Sequence, residues 1–426
     1  MELARRSLKE LQTQGRCTDE YRQSMLTATI AHQWFARRLA LVLLIAAALL
    51  PFRSAAHGAE REFDLIIFGA TGYVGNLLTA SLLGDRTAFL SLASGVRLNS
   101  GVGTLRFALA GRSELRLRQL RDKYESRGFD VSGVGLIVAD AADPASLDEM
   151  VLRAKVVLTT VVESPKEGGG FSANSLIRRC IAHGTHLLDL DGFWFKDDAL
   201  VRELDALART TGAVYSPACG EVVVVPDMAT YRAWTHLGRP KLRRSRVYHA
   251  YTNGTAATQG PMEAAFWEYL DVPLMRWSAN LLAYGNRFEF SERSPSNQAH
   301  RDYVGNKRAE VRKAAKFVTA ASVEAEDGRT ATATVSGGEV DYEETARIFL
   351  ETAMSLVEDS VLAADTGGVW TAAAGWGDAL LKRMEAVGLG VVVSQQPGET
   401  AAKIVRAASK QYASRLCREG LGCAVR

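Results

Sequence analysis

One short stretch near residue 70 constrains the fold of this chain more than any other. Residues 64–75 read Asp-Leu-Ile-Ile-Phe-Gly-Ala-Thr-Gly-Tyr-Val-Gly, an apolar run followed by three glycines. Such a run is typical of a strand buried on both faces of a parallel sheet. Gly69 permits a tight turn, Gly72 lets a phosphate approach the backbone, and Gly75 lets the following helix pack closely. The stretch therefore predicts a dinucleotide site at a helix N-terminus, with a plain strand-to-helix turn as the alternative.

Length and composition set the broad class. The chain has 426 residues, 47% of them hydrophobic, which predicts more than one domain and sizeable cores. The net charge of +3 is too small to indicate nucleic-acid binding. The five cysteines are scattered and lack metal-ligand spacing, so we predict neither a metal site nor a disulfide framework.

The first sixty residues form a separate extension. Residues 39–50 are uninterrupted apolar sequence, preceded by two arginines and followed by Pro51 and small residues. That order is typical of a signal peptide, although Met25 would give a more usual start than Met1. Twelve residues are fewer than the roughly 20 of a spanning helix. A cleaved signal, an uncleaved anchor and a segment lying in one leaflet all stay open, and we favour the anchor. The predicted location is a membrane, endomembrane or lipid droplet, reached through residues 39–52.

From residue 61 to 227 the pattern alternates between strands and helices. Six apolar runs, each followed by a helical or loop segment, predict an α/β fold, a Rossmann doubly wound parallel sheet. After residue 227 the strands are β-branched and aromatic, and residues 330–335 alternate cleanly, which predicts a sheet with one packed and one wet face. Amphipathic helices follow at 343–362 and 376–387.

The predicted organisation has five parts. They are an extension (1–60), an NAD(P)-binding Rossmann domain (61–227), an α+β substrate domain (228–345), C-terminal helices packing back on the core (346–395) and a basic tail (396–426).

The end of the second strand distinguishes the two nicotinamide cofactors. An acidic residue there would bind a ribose 2′-hydroxyl, whereas an arginine accommodates a 2′-phosphate. Arg112 and Ser113 stand at this place, with no carboxylate until Glu114, so NADP(H) is favoured over NAD. Asp140, after the third strand, would meet the adenine or else cap a helix. The predicted cofactor-binding residues are Gly69, Thr71, Gly72, Tyr73, Val74, Gly75, Arg112, Ser113 and Asp140.

These motifs together resemble a known family. Residues 68–75, 109–113, 138–140 and 184–190, with the later segments 366–371 and 380–384, look like the saccharopine dehydrogenase-like oxidoreductases, which include trans-acting enoyl reductases. The resemblance covers about residues 63–393. It implies a Rossmann domain, an inserted second domain, association with membranes or lipid droplets, and a role in lipid or glycolipid metabolism.

Three loops depart from the family pattern. Residues 163–166 replace a Gly-Pro-Tyr, residues 191–194 replace a Gly-Glu pair, and residues 218–222 lack the usual Phe-Asp. All three follow strands, where an α/β sheet places its ligands. Either the substrate differs or the chemistry has been lost, and saccharopine dehydrogenase activity itself is not expected.

No catalytic residue is assigned from the sequence. Lys166, Asp191 and Glu221 are placed by loop position to supply a proton, and none of them stands out. Tyr303 and Lys307 have the Tyr-x-x-x-Lys spacing of short-chain reductases, but the residues between them are poor helix formers.

Two functions from different classes follow. The first is a membrane-associated NADP(H)-dependent oxidoreductase acting on a small lipid-like substrate. The alternative is a non-catalytic NADP(H)-binding sensor or scaffold. The oligomeric state is left open by the sequence.

Overall fold

The computed structural model of the protein describes residues 60–90, 97, 105–161, 173–252, 262–265, 267–295, 315–359 and 361–394. They all belong to the unit Ala56–Arg426. The segment 39–52, the tail 396–426, Lys166 and the Tyr303/Lys307 pair lie outside the described residues.

A seven-stranded sheet forms the first layer of the fold. Its order is β3-β2-β1-β4-β5-β6-β12, and every pair of neighbours is parallel. The six strands predicted between residues 61 and 227 are all present, which confirms the doubly wound α/β fold. The strands are β1 (Phe63–Phe68), β2 (Phe107–Gly111), β3 (Gly135–Val138), β4 (Ala154–Thr159), β5 (His186–Asp189), β6 (Val214–Ser216) and β12 (Gly368–Val369).

Helices cover both faces of this sheet. In β1, Leu65 and Ile67 pack into one hydrophobic core while Ile66 and Phe68 pack into another. Successive side chains of a strand point to opposite faces, so the two cores lie on the two sides of the sheet. The helices that follow the strands are α1 (Tyr73–Leu83), α2 (Glu114–Glu125), α3 (Pro144–Leu152), α4 (Ala173–Ala182), α5 (Asp198–Thr211) and α6 (Glu221–His236).

Three of these helices begin where polar residues cap them. Ser113 accepts a hydrogen bond from a backbone N–H of α2, and Asp143 and Asp197 do the same for α3 and α5. Such caps satisfy N–H groups that have no partner within the helix. The caps therefore fix the ends of the loops that follow β2, β3 and β5.

A second, mixed sheet has six strands in the order β13-β11-β10-β7-β9-β8. The wet face predicted for residues 330–335 is wrong, because Thr332 and Thr334 are both buried. The Thr332 hydroxyl donates to Ser322 Oγ at 3.2 Å, and a hydrogen-bonded hydroxyl can be buried at small cost. The strands are β7 (Leu242–Thr252), β8 (Met262–Ala264), β9 (Glu289–Pro295), β10 (Lys316–Ala325), β11 (Thr330–Gly337) and β13 (Gly390–Ser394).

Two helices join the sheets. Helix α6 follows β6 directly and packs on the second sheet, where the Thr230 and Ser245 hydroxyls are 2.8 Å apart. Helix α7 (Glu268–Leu281) contributes Trp277, whose indole N–H donates to the Val369 carbonyl in β12 at 2.9 Å. The boundary predicted at residue 227 falls within α6, and the domain limits stay predictions.

The C-terminal part of the chain returns to the first sheet. Strand β12, from the Thr-Gly-Gly-Val segment, pairs with β6, and the Val369 N–H donates to Asp205 Oδ1 at 2.9 Å. The two helices predicted from amphipathic patterns are present as α8 (Glu343–Glu358) and α11 (Asp378–Ala386). Two short helices that were not predicted, α9 (Leu362–Thr366) and α10 (Ala372–Gly375), lie between them.

The predicted membrane location is corrected by the helices of the described residues. None of them combines the length and the apolar character needed to cross a bilayer. The longest, α6 and α8, have 16 residues each, fewer than the roughly 20 of a spanning helix. We therefore withdraw the location, together with the membrane or lipid-droplet surface as a partner.

Candidate functional site

The glycine turn between β1 and α1 has the geometry that its sequence demands. Gly69 has a φ of +90°, and a Cβ there would lie 2.5 Å from Thr160 Oγ1. A Cβ on Gly75 would lie 2.4 Å from the Gly69 carbonyl oxygen. A side chain at Gly75 would require the backbone to move, whereas one at Gly69 would displace the Thr160 side chain and would stand at a φ that favours glycine. The two glycines hold α1 close against the end of β1.

The N-terminus of α1 is open to solvent and electrically favourable for an anion. Thr71, Gly72 and Tyr73 are exposed, and Val74 is half-buried. No side chain caps the helix at Gly72, and its first turn carries no acidic residue. The positive end of a helix dipole with unused backbone N–H groups is a phosphate-binding arrangement.

Arg112 stands free at the end of β2. Its side chain is exposed and makes no hydrogen bond or ion pair within the described residues. The nearest carboxylate in sequence, Glu114, is engaged by Arg118 at 2.5 Å. Arg112 is thus available to a ligand phosphate. Ser113 accepts from the Arg116 N–H at 3.4 Å as the cap of α2, and its hydroxyl proton is not used in that bond.

Asp140 has a structural task in the loop after β3. Its carboxylate accepts a hydrogen bond from the Ala142 N–H at 3.0 Å, which closes a turn. The helix cap at this end is Asp143 rather than Asp140. The adenine contact of Asp140 stays a prediction.

The loops after β5 and β6 interlock at the carboxyl edge of the first sheet. The Ala218 N–H donates to the Asp191 carbonyl at 3.0 Å, and the Cys219 N–H donates to the Asp189 carbonyl at 2.8 Å. Burial raises the pKa of Cys219 to about 12, so its thiol is not ionised near neutral pH and is a poor nucleophile. Of the candidates here, Asp191 is buried.

Glu221 is the first residue of α6 and is buried as well. Its backbone N–H donates to Thr345 Oγ1 at 3.1 Å, while its Oε1 has no hydrogen-bond partner among the described residues. Burial, followed by the negative charges of Asp341 and Glu292, raises the pKa of Glu221 well above its ordinary value. Burial at the edge of the sheet therefore favours the protonated form of this side chain.

A second group of polar side chains, which sequence reasoning missed, lies on the second sheet. His249 Nδ1 is 2.8 Å from Thr319 Oγ1, and His249 Nε2 is hydrogen-bonded to Glu292 Oε1. These three residues stand on the adjacent strands β10, β7 and β9. Asp271 of α7 and Ser294 of β9 complete what we call the His249 cluster: His249, Asp271, Glu292, Ser294 and Thr319. All five are buried.

The charges in this cluster determine which of its carboxyl groups is protonated. Burial opposes ionisation of Glu292, but the charge of His249 outweighs it and leaves the pKa of Glu292 below its ordinary value. Burial and the negative charge of Glu292 raise the pKa of Asp271 well above its ordinary value. Two interacting carboxyls cannot both ionise easily. The pair Glu292/Asp271 therefore holds one proton at neutral pH.

A small cavity opens beside the cluster. Among the described residues it is lined by Val222, His249, Tyr251, Ala265, Trp267, Glu292 and Ser294. Ser294 Oγ has no hydrogen-bond partner among those residues, and Glu292 shares a hydrogen bond with Asp271. The cavity thus brings aromatic side chains next to polar ones. Across the same residues, no group of three His, Cys, Asp or Glu side chains is placed to hold a metal ion.

Comparison with known proteins gives matches to oxidoreductases. The chain is 35% identical over 176 residues to the trans-acting enoyl reductases of Mycobacterium ulcerans and Mycobacterium tuberculosis, covering 41% of this chain and 36% of each relative. It is 33% identical over 136 residues to the mouse saccharopine dehydrogenase-like oxidoreductase, covering 31% of this chain and 28% of the relative. Part of this chain is thus similar in sequence to trans-acting enoyl reductases and to a saccharopine dehydrogenase-like oxidoreductase. The resemblance predicted from its motifs is confirmed.

The relation to the saccharopine dehydrogenase-like oxidoreductases is partial in length. The chain covers about a third of the length of the relatives that it matches. No family model matches it. Among solved structures, apo saccharopine dehydrogenase (L-Glu forming) from Saccharomyces cerevisiae matches with a TM-score of 0.46 at 11% identity, covering 78% of this chain and 99% of that one.

Proposed function

We propose that the protein is an NADP(H)-dependent oxidoreductase that acts on a small lipid-like molecule. The observation that carries the proposal is the pairing of an uncapped helix N-terminus at Gly72 with an exposed, unpaired Arg112 at the end of β2. The first feature suits the pyrophosphate of any dinucleotide, and the second suits a 2′-phosphate. When bound, the nicotinamide would supply or accept a hydride.

The substrate class rests on the relatives. Proteins named trans-acting enoyl reductase would by name reduce a carbon–carbon double bond next to an acyl carbonyl, and several of them match this chain. A role in lipid metabolism is part of the same proposal.

Cofactor binding by the full-length protein tests the proposal. We expect NADPH to bind more tightly than NADH in a fluorescence titration. Arg112→Ala should weaken NADPH binding about 10- to 100-fold, since a hydrogen bond to a charged group contributes roughly 1.5–3 kcal/mol. NADH binding should not change.

Arg118→Ala is the matched control, because Arg118 is an exposed arginine in the helix α2 that follows Arg112, and its side chain is already paired with Glu114. It should leave both affinities unchanged. If wild-type protein binds no NADPH at millimolar concentration, the proposal is wrong. If Arg112→Ala and Arg118→Ala behave alike, the assignment of Arg112 is wrong.

A non-catalytic NADP(H)-binding sensor is the second candidate. The burial of Cys219 and Asp191 in the loops after β5 and β6 favours it, because neither side chain is presented to a ligand as a catalytic group would be. Oxidation of NADPH by wild-type protein in the presence of a trans-2-decenoyl thioester would exclude this candidate.

A further inference from the structure

We propose that Glu292, with Asp271 beside it and His249 behind it, is the group that gives a proton to the substrate. The inference rests on the proposed function and names the proton donor of that site. Glu292 is the catalytic residue, since it lines the cavity. Asp271 is the proton reservoir and His249 the positioning residue.

The first argument is the position of the cluster. A Cβ on Gly192, in the loop after β5, would lie 2.8 Å from Ala218 Cβ and 3.1 Å from Leu270 Cδ1. The loops after β5 and β6 therefore touch α7 at the residue before Asp271. Val222, in the first turn of α6, lines the same cavity as Glu292. The cluster thus faces the carboxyl edge of the first sheet, where such sheets place their ligands.

The second argument is the pairing of two carboxyl groups. Asp271 and Glu292 are both buried and share a hydrogen bond, and Ser294 Oγ on the same strand as Glu292 has no hydrogen-bond partner among the described residues. Buried polar groups in folded proteins are normally paired, and leaving them unpaired lowers stability. Asp227, another buried carboxylate nearby, has both oxygens satisfied, by Ser278 and by the Ala373 N–H. The cluster therefore differs from a buried acid that serves the fold.

The third argument is the need for a proton. Reduction of an enoyl group adds a hydride from the reduced nicotinamide to one carbon, which breaks the π bond and leaves an electron pair on the neighbouring carbon or its carbonyl oxygen. The electron pair takes the proton that Asp271 and Glu292 share, which passes from Asp271 to Glu292 and from Glu292 to the substrate. Substrate is reduced, the nicotinamide is oxidised, and the carboxyl pair regains its proton from water before the next turnover.

His249 makes this transfer easier in two ways. Its Nε2–H donates to Glu292 Oε1 and so fixes the orientation of this carboxylate, which lines the cavity. When the Glu292/Asp271 pair gives up its shared proton, both carboxyl groups become negative. His249 lies next to them, and a nearby hydrogen-bond donor stabilises the added charge. Thr319 holds the imidazole through Nδ1.

The first experiment needs no substrate. Full-length wild type, Asp271→Asn and the buried-acid control Asp227→Asn are compared by infrared spectroscopy and thermal unfolding at pH 8. We expect Asp271→Asn to lose a protonated-carboxyl band and to keep or raise the midpoint of unfolding, since a neutral amide replaces the acid that is buried beside the Glu292 carboxylate. Asp227→Asn should lower the midpoint. An unchanged band together with a lowered midpoint in Asp271→Asn would overturn the inference.

The second experiment measures turnover with a trans-2-decenoyl thioester as the probe. We expect Glu292→Gln to lower kcat about 100-fold or more, within the usual range for a proton-transfer group, while the Kd for NADPH is unchanged. The control Glu289→Gln, an exposed glutamate of the same strand, should keep wild-type kcat. Full turnover by Glu292→Gln would overturn the inference.

The two levels of failure are distinguishable. Wild-type protein that does not bind NADPH contradicts the proposed function, whereas wild type that binds it and fails to reduce the probe leaves the infrared and thermal experiment to decide on the proton donor. His249→Gln separates positioning from folding. It should lower kcat about 10-fold or more at unchanged NADPH affinity, and a collapse of both together would mean that His249 serves only the fold.

Discussion

The cofactor turn and the His249 cluster are built in opposite ways. The turn is contiguous in sequence, because residues 69–75 carry its three glycines. A Cβ at each glycine would meet atoms a few residues away or just beyond the neighbouring strand β4. The cluster is assembled from two strands 43 positions apart, His249 and Glu292, with Thr319 a further strand away. The turn exposes its polar groups, whereas the cluster buries them.

This difference explains why one site can be predicted from the sequence and the other cannot. A phosphate cradle is made of backbone, so glycines at fixed spacing are enough to reveal it. A proton-transfer group is made of side chains, and its members meet only when the register of a distant strand pairing is known. The cofactor turn can therefore be recognised in the sequence, whereas the His249 cluster cannot, although the proposed reaction would need both.

The largest effect is expected at the turn. An alanine at Gly75 would place its Cβ 2.4 Å from the Gly69 carbonyl oxygen and 2.7 Å from Ala70 Cα. Both are backbone atoms that cannot swing away. We expect the free energy of unfolding to fall by about 3 kcal/mol or more and NADPH affinity to fall at least 100-fold, measured by urea unfolding and fluorescence titration.

Gly133→Ala is the control for that variant, since a Cβ at Gly133 meets nothing within 4 Å. It should change stability and affinity little. A Gly75→Ala protein that binds NADPH as wild type does would mean that the close packing of α1 on β1 is not what makes the cradle.

The sequence predicted the first sheet well and the second half less completely. Buried parallel strands are continuous apolar runs, so β1 to β6 could be found from pattern alone. Strand β12 was missed because two residues, Gly368 and Val369, carry no periodicity. Helices α6 and α7 were missed because each contains a proline, Pro226 and Pro273, which usually ends a helix.

The residues of the candidate site also differ in how far the sequence could predict them. Gly69 and Gly75 lie in the turn after β1 and Arg112 lies at the end of β2, as the sequence indicated, and their cofactor-binding roles stay predictions. Glu221 was singled out by its loop position, and the structure adds that it is buried, which raises its pKa. His249 and Glu292 stand in predicted strands, but nothing in the spacing indicates that β7 and β9 pair in parallel. Tertiary contacts alone reveal the cluster.

The second prediction concerns Asp227, the buried acid whose two carboxylate oxygens are both hydrogen-bonded. Burial raises the pKa of Asp227 to about 6, although hydrogen bonds from the Ala373 N–H and Ser278 oppose the rise. Because the folded-state pKa lies above the ordinary value of 3.8, the folded state holds this proton more tightly. Its contribution to stability is complete below pH 3.8 and is lost as the pH rises through about 6.

We therefore expect wild type to lose about 2 to 3 kcal/mol relative to Asp227→Asn between pH 4 and pH 7. Urea unfolding of both proteins across that range measures it. Only the difference between the two proteins is used, since other carboxylates such as Asp64, whose pKa is lowered to about 2, titrate equally in both. A difference that stays constant with pH would show that Asp227 is ionised throughout.

The smallest effect is expected at Ser113, where the fold and the proposed cofactor use one side chain. Its hydroxyl oxygen caps α2 by accepting from the Arg116 N–H at 3.4 Å, a long bond, so Ser113→Ala should lower the free energy of unfolding by about 0.5 to 1 kcal/mol. If the hydroxyl proton also reaches the 2′-phosphate, NADPH affinity should fall several-fold while NADH affinity stays constant.

Ser126→Ala, at the other end of the same helix, is the control and should leave both affinities unchanged. Equal losses for NADPH and NADH in Ser113→Ala would mean that Ser113 acts on the cradle only through the position of α2, and Arg112 would then be the sole side chain at this end of β2 that reads the phosphate.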